Sequence, residues 1–116
     1  MGKRTGLVLF LSLISLIVCA GGFRDGIYRA YITRDMDAWE KLLKDSPVIM
    51  ITPADRYELA MAHYGFIGYC LEHEQKQRAR PYMDFVEVVV SRLVKDFPDD
   101  PRYVALRGAL YGFRFI

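Results

Sequence analysis

The amino-acid sequence predicts an all-α fold in which antiparallel helical hairpins stack as a short α-solenoid. Three observations support this prediction. Apolar residues recur at three- and four-residue steps through most of the chain after residue 52, which is the spacing of one helix face. Two segments open with the same helix-start signal, a capping side chain followed by proline, at Thr52-Pro53 and Asp100-Pro101. These two segments also share a repeated sequence, which is typical of stacked helical repeats.

Length and composition limit the functions that the chain can have. It has 116 residues, of which 53% are hydrophobic and 26% are charged, and its formal net charge is +2. A chain of this length forms one small domain, which excludes an enzyme with a separate cofactor domain. The apolar and aromatic content excludes a disordered tail, and the balanced charge argues against a dedicated nucleic-acid-binding protein.

The N-terminal segment, residues 1–20, is predicted to be an export signal that precedes the folded domain, residues 21–116. An uncharged apolar run follows Lys3-Arg4 and is too short, as a helix, to cross a membrane. The residues that lead to Ala20 fit a cleavage site, so we expect an exported protein of the bacterial periplasm or envelope. An uncleaved N-terminal anchor is the alternative.

Cys19 indicates a second possible route of export. The run 16–19 resembles a bacterial lipobox, in which the cysteine becomes the lipidated first residue, although Val18 stands where a small residue is usual. Membrane attachment is therefore expected only through the signal or through lipidation of Cys19. Cleavage after Ala20 would leave a chain with no formal net charge and with Cys70 as its one cysteine, so no intramolecular disulfide could form.

Thr52 opens the first strongly marked helix, after a short apolar run at 48–51 that could be extended. Along this helix, two apolar rows follow helical spacing, and a helix that is apolar on two sides needs neighbours on two sides. One row contains Tyr57, Ala60, Met61, Tyr64, Ile67 and Leu71, and the other contains Leu59, Ala62, Phe66 and Cys70.

The segment 72–80 is polar and is predicted to be a turn or an overhanging helix end. Its basic residues Lys76, Arg78 and Arg80 are interpreted as a solvated turn, with contact to an acidic partner as the alternative. A further helix is predicted from Pro81, because an apolar row follows helical spacing: Tyr82, Phe85, Val86, Val89, Leu93 and Phe97. The run 88–90 of three valines could form a strand, but the longer period favours a helix.

An internal repeat connects the two capped helices. Arg56-Tyr57 matches Arg102-Tyr103, and Tyr64-Gly65-Phe66 matches Tyr111-Gly112-Phe113. The offsets are 46 and 47 residues, and both copies lie in a helix that begins with a cap and a proline. A spacing in the forties that is carried by helices is typical of α-solenoid repeats.

These residues resemble the tetratricopeptide repeat family. Segment 30–39 looks like the turn between the two helices of one repeat, and Phe97-Pro98-Asp99-Asp100 resembles the closing proline and linker. Gly108 and Tyr111 fall where the family places its small residue and its tyrosine. The hairpin from 52 to 98 has 47 residues, against about 34 in the family, and the turn glycine is missing near Arg34. The resemblance implies a diverged repeat protein that is incomplete at its C-terminus.

The last predicted helix continues to Ile116 without a polar cap or a glycine stop signal. A repeat of this kind needs a second helix to cover the first. We therefore expect either a truncated chain, which is the favoured interpretation, or a helix face that another chain covers. The uncovered last helix also predicts self-association.

Few residues are candidates for catalysis. His63 and Cys70 lie on one helix face, a spacing that a thiol–imidazole pair could use. Packing is the favoured interpretation, with Cys70 a buried small side chain and His63 partly exposed. The run 72–74, Glu-His-Glu, is interpreted as a polar helix end rather than a set of metal ligands. No glycine-rich phosphate loop or paired-cysteine zinc spacing is present, so the chain is predicted to be no enzyme and to need no cofactor or metal.

The resemblance to helical repeats implies binding of a protein or peptide through the first helices of successive hairpins. Arg56, His63, Tyr69 and Arg102 have polar-tipped side chains on those helices and are the predicted partner-binding residues. The sequence thus predicts a non-catalytic exported scaffold with no nucleic-acid partner. The alternative is a helical accessory segment of a larger envelope enzyme or transporter, and a third interpretation is a small hydrolase that uses Cys70.

Overall fold

The computed structural model describes residues 22–46 and 52–116. Both ranges fold into helices, and neither contains a strand, so the predicted all-α fold is confirmed for these residues. The chain divides into two units, Met1–Ile49 and Met50–Ile116. None of the helices in the described ranges combines the length and the hydropathy needed to span a bilayer. The predicted export signal with Cys19, and the apolar run 48–51, lie outside the described residues.

In the first unit, helix α1 covers residues 22–33 and helix α2 covers Met36–Asp45. The turn between them adopts a left-handed conformation at Arg34, with φ of 56°, and the Asp35 N–H donates to the Ala30 carbonyl at 2.9 Å. The Asp35 carboxylate then caps α2 by accepting a hydrogen bond from the Ala38 N–H at 3.1 Å. The turn therefore lies within the segment where the sequence predicts it.

The two helices of the first unit approach each other closely. A Cβ atom at Gly26 would lie 2.9 Å from Leu42 Cδ1, so a larger residue would displace the leucine. The ring of Tyr31 meets that of Trp39 edge to face, with ring centroids 6.2 Å apart, and both Trp39 and Leu43 are buried. These contacts hold α1 against α2.

In the second unit, helix α3 covers Pro53–Glu72 and begins where the sequence predicts. Thr52 Oγ accepts from the Asp55 N–H at 3.1 Å, and the Asp55 carboxylate accepts from the Thr52 N–H at 3.2 Å. This reciprocal pair is a capping box, which satisfies N–H groups that the first turn of a helix leaves without partners. At the other end, Glu74 adopts φ of 58°, and the Gln75 N–H donates to the Cys70 carbonyl at 2.7 Å. The polar helix end predicted here is confirmed.

Helix α4 covers Lys76–Asp96 and begins five residues before the expected proline. The basic residues Lys76, Arg78 and Arg80 therefore belong to its first turns, and their interpretation as a solvated turn is wrong. Because Glu74 adopts a left-handed conformation after the end of α3, only residues 73–75 separate α3 from α4. Pro81 lies inside α4 and removes one intrahelical N–H donor. The three valines at 88–90 are helical, as the longer period favoured.

Helix α5 covers Pro101–Gly112 and continues into a 3₁₀ turn, Phe113–Phe115. The Asp100 carboxylate caps α5 by accepting from the Arg102 N–H at 3.0 Å, as predicted. Within this unit, α4 packs against both α3 and α5, and α3 also contacts α5. The core of the unit lies between these three helices.

The buried faces differ in part from the predicted rows. On α3, the row with Leu59, Ala62, Phe66 and Cys70 is buried as expected, whereas Met61 and Tyr64 are exposed. On α4, the predicted Tyr82, Val86 and Leu93 are buried, but Phe85 and Phe97 are partly exposed. Because α4 packs against two helices, its buried face is wider than one row, and it also includes Met83, Val90 and Val94.

Candidate partner-binding groove

An open groove of about 760 Å³ follows the solvent-facing side of α4 in the second unit. Its lining residues, which define the α4 groove, are Arg56, Asp84, Glu87, Val88, Val89, Ser91, Arg92, Lys95 and Tyr111. α4 contributes seven of these residues, while α3 and α5 contribute one side chain each. Of the four predicted partner-binding residues, Arg56 lines this groove and the other three do not.

One end of the α4 groove carries carboxylates that are already paired. Arg114 Nε donates to Glu87 Oε1 at 2.8 Å, and Arg114 Nη2 donates to Glu87 Oε2 at 2.9 Å and to Asp84 Oδ1 at 2.6 Å. The two carboxylates stabilise the positive charge and so raise the pKa of the Arg114 guanidinium. This three-residue cluster attaches the terminal 3₁₀ turn to α4, and the single positive charge of Arg114 neutralises part of the negative charge at this end.

The groove also contains three cationic side chains that form weak ion pairs or none in the described parts of the chain. Neither Arg56 nor Lys95 forms an ion pair with any residue in the ranges 22–46 and 52–116. Arg92 Nε lies 3.5 Å from Asp96 Oδ2, in a pair whose side chains are 70% and 43% exposed. Exposed pairs of this kind contribute little because water screens them. The cationic side chains of the groove are thus available to an anionic group.

An apolar surface separates these charges along the groove. Val88, in the middle of α4, is 71% exposed, whereas Val86 and Val90 on the same helix are buried. Val89 and Tyr111 extend this surface, and Tyr111 is 46% exposed. The groove can therefore contact an apolar side chain and an anionic group of the same ligand.

His63 lies in the core, with 1% of its surface exposed, so the expectation of a partly exposed histidine is wrong. Its Nδ1–H donates to the Leu59 carbonyl at 2.9 Å, and its ring centroid lies 5.9 Å from that of Tyr82 and 5.3 Å from that of Phe85. Burial lowers the pKa of His63 below its usual value, while the bond to Leu59 partly opposes this. A neutral imidazole in this position packs the α3–α4 interface and offers no surface to a partner.

Tyr69 is half-buried near the end of α3, outside the α4 groove. Its ring centroid lies 4.0 Å from that of His73, the C-terminal capping residue of α3. Through this contact, Tyr69 packs against the end of α3. The contact of Tyr69 with a partner stays a prediction.

Arg102 is exposed and its guanidinium is engaged at the start of α5. Its Nε and Nη2 atoms donate to the two carboxylate oxygens of Asp100 at 3.1 Å and 2.9 Å. The same guanidinium lies over the rings of Tyr57 and Tyr103, 5.3 Å and 5.4 Å from their centroids. Hydrogen bonding from Arg102 lowers the pKa of the Asp100 carboxyl. Arg102 therefore connects α3 to α5 within the folded protein, and its contact with a partner stays a prediction.

Cys70 is fully buried, as the packing interpretation predicted. Within residues 22–46 and 52–116, no group of three or more histidine, cysteine, aspartate or glutamate side chains is arranged to hold a metal ion. The statement that the protein is not an enzyme stays a prediction.

Sequence reasoning missed most of the groove. The positions Asp84, Val88, Arg92 and Lys95 recur at helical steps and predict one polar face with a valine in its middle, so this part of the groove could have been found. Arg114, which lies 27 and 30 residues from its partners, has no local signal that identifies them.

No protein-family model matches the sequence, and no curated protein or solved structure is significantly similar to the chain.

Proposed function

We propose that this protein is a non-catalytic, exported scaffold of the bacterial envelope that binds a protein or peptide segment. In this proposal, α3, α4 and α5 form part of a tetratricopeptide-like stack of antiparallel hairpins. The α4 groove, with the first-helix residue Arg56 at its edge, is the docking surface.

The contact between Tyr57 and Tyr103 is the observation that carries the proposal. The two tyrosines occupy matching positions in the two copies of the repeat, and their ring centroids lie 5.6 Å apart. When repeats stack by a regular translation, matching positions of successive units become neighbours. A second contact agrees with this arrangement, because Tyr64 of α3 stacks on Phe113, which follows α5, with ring centroids 5.1 Å apart.

The order of contacts between α3 and α4 supports an antiparallel hairpin. Phe66 contacts Arg78 and Tyr82, near the start of α4. His63, about one turn earlier in α3, contacts Phe85, about one turn later in α4. Contacts that run in opposite directions along two consecutive helices are those of a hairpin, which is the unit that such stacks repeat.

A pair of valine substitutions tests the docking surface. Val88 lies in the α4 groove, and Val104 lies on α5 outside it, with 71% and 41% of their surfaces exposed. We expect Val88→Arg to abolish specific retention of envelope proteins by the immobilised protein, since the long side chain covers the apolar centre of the groove. Val104→Arg should retain the same proteins. Circular dichroism would show that both variants fold.

Single and double substitutions separate the predicted residues. We expect Arg56→Ala to weaken retention, and Tyr69→Ala to add little, because Tyr69 lies outside the groove. Unchanged retention in Val88→Arg and in the Arg56→Ala/Tyr69→Ala variant would show that the partner binds elsewhere. A protein that retains no envelope component would contradict the proposed function itself.

The outer face of α5 favours a second candidate function. Val104, Ala105, Gly108, Ala109 and Gly112 are exposed there and carry no charge. A helical accessory segment of a larger envelope enzyme or transporter, or a self-associating chain, would cover such a face. Loss of retention or of self-association in Val104→Arg, with Val88→Arg unaffected, would favour this candidate over the scaffold.

A further inference from the structure

We infer that the α4 groove selects an acidic segment in which a carboxylate lies beside an apolar side chain. This inference rests on the proposed function, which assigns the groove to a protein or peptide partner, and it defines the chemistry of that partner.

The cationic side chains of the groove favour a ligand with negative charge. Arg56, Arg92 and Lys95 line one groove, and Arg56 and Lys95 have no ion pair in the described parts of the chain. Like charges that share a surface repel one another, and an anionic group that approaches them lowers this repulsion. A carboxylate also matches the fork of an arginine side chain, which donates two parallel hydrogen bonds.

The carboxylates of the groove do not favour a basic ligand instead. Asp84 and Glu87 are held by Arg114 through three hydrogen bonds of 2.6 to 2.9 Å. A basic segment would compete with this arginine for the two carboxylates, and displacing the arginine would release the terminal 3₁₀ turn from α4. An acidic segment leaves the Arg114 cluster intact.

The apolar centre of the groove determines the second feature of the ligand. Val88 and Tyr111 are exposed between the charged groups and offer an area that an aliphatic or aromatic side chain would cover. A ligand with charge alone would leave this area in water. A peptide can place an apolar side chain beside a carboxylate, whereas the backbone of a nucleic acid offers phosphates without aliphatic side chains, so the groove fits a peptide better.

Fluorescence anisotropy with matched peptides tests the inference on the purified full chain. The probe is a labelled peptide in which leucine alternates with glutamate, and its control replaces each glutamate with glutamine. We expect saturable binding of the glutamate peptide that weakens with added salt, and binding of the glutamine peptide that is at least tenfold weaker. A labelled single-stranded oligonucleotide should bind more weakly than the glutamate peptide.

Charge-reversal variants locate the binding. We expect Lys95→Glu to weaken the glutamate peptide about tenfold and Lys95→Ala about threefold, since an exposed pair contributes modestly. Arg56→Gln should weaken it by about the same factor as Lys95→Ala. Lys76→Glu is the matched control, because Lys76 is exposed on α4 outside the groove, and it should leave the affinity unchanged.

Several outcomes would overturn the inference. These are equal binding of the glutamate and glutamine peptides, stronger binding of the oligonucleotide, an affinity that Lys95→Glu does not change, or no saturable binding of the probe. If retention of an envelope protein still depends on Val88, the proposed function stands and only the acidic character of the partner is wrong. If retention also fails, both proposals are wrong.

Discussion

Helices α3 and α5 carry the two copies of the repeat, and each begins with a side-chain cap followed by proline. α3 extends over 20 residues and buries seven of them, including Phe66 and His63. α5 extends over 12 residues and buries Tyr103, Leu106 and Leu110. Matching local signals therefore begin both helices, whereas packing against the neighbouring helices determines how many residues of each helix are buried.

The largest expected difference between the two copies concerns their matched phenylalanines. Phe66 is fully buried, and its ring meets that of Tyr82 edge to face at 5.2 Å, whereas Phe113 is half-buried and stacks on Tyr64. We expect Phe66→Ala to lower the free energy of unfolding by about 3–5 kcal/mol, because it leaves a cavity. Phe113→Ala should cost about 1 kcal/mol, the size of an aromatic pair. Urea denaturation followed by circular dichroism measures both.

The two phenylalanine variants form a matched test of the burial difference. Equal losses of stability in Phe66→Ala and Phe113→Ala would show that the turn that follows α5 is as deeply packed as α3 at Phe66. The comparison between a core helix and a more exposed helix would then fail.

The next effect depends on pH and is expected for α3 alone. In the repeat alignment, His63 of α3 corresponds to Leu110 of α5, and both residues are buried. Because the pKa of His63 is lowered in the folded state from 6.5, the unfolded chain binds a proton first as the pH falls. The contribution of His63 to stability is therefore constant above pH 6.5, falls below it by at most about 1.4 kcal/mol per pH unit, and levels off below the folded pKa.

Two variants assign this pH dependence. His63→Leu, which copies the residue of α5, should remove the loss of stability just below pH 6.5. His73→Gln changes the exposed histidine at the end of α3 and should leave that loss in place. A loss that persists in His63→Leu would assign it to another group. Urea midpoints measured at a series of pH values provide the data.

The smallest expected effects concern how the two helices end. Glu74 closes α3 in the left-handed region at φ of 58°, which a glycine adopts more easily, whereas Gly112 at the end of α5 has an ordinary helical φ of −57°. We expect Glu74→Gly and Gly112→Ala each to stabilise the protein by about 0.5–1 kcal/mol. A Cβ atom at Gly112 would contact nothing within 4 Å, so no clash opposes the gain.

Thermal denaturation of these two variants checks the assigned backbone conformations. Glu74→Ala is the control, since it removes the same charge but keeps a Cβ atom, and it should not reproduce the gain of Glu74→Gly. A destabilised Gly112→Ala would indicate that α5 does not end in the helical conformation described here.

Local features of the fold could be predicted from the sequence because they depend on residues within about one helical turn. The caps at Thr52 and Asp100 act on N–H groups two or three residues away, and both helices begin where these residues predict. The start of α4 was missed, because a left-handed glutamate replaced the glycine that usually marks a helix end.

The candidate site could be predicted only in part. Arg56 was identified as a polar-tipped residue on a first helix, and it lines the groove. Lys95 and Val88 were missed, although their spacing places them on one face of α4. The position of His63 could not be read from its neighbours in sequence, since a histidine in an apolar helix can face either the core or water.

The residue pattern alone predicts that the described residues are helical, where α3 and α5 begin, and that Cys70 packs as a small apolar residue. Each of these follows from periodicity or from contacts within four residues. The burial of His63 and the binding of Arg114 to Asp84 and Glu87 become visible only in the folded chain. The same holds for the position of the groove along α4, because these features depend on how three helices separated in sequence pack together.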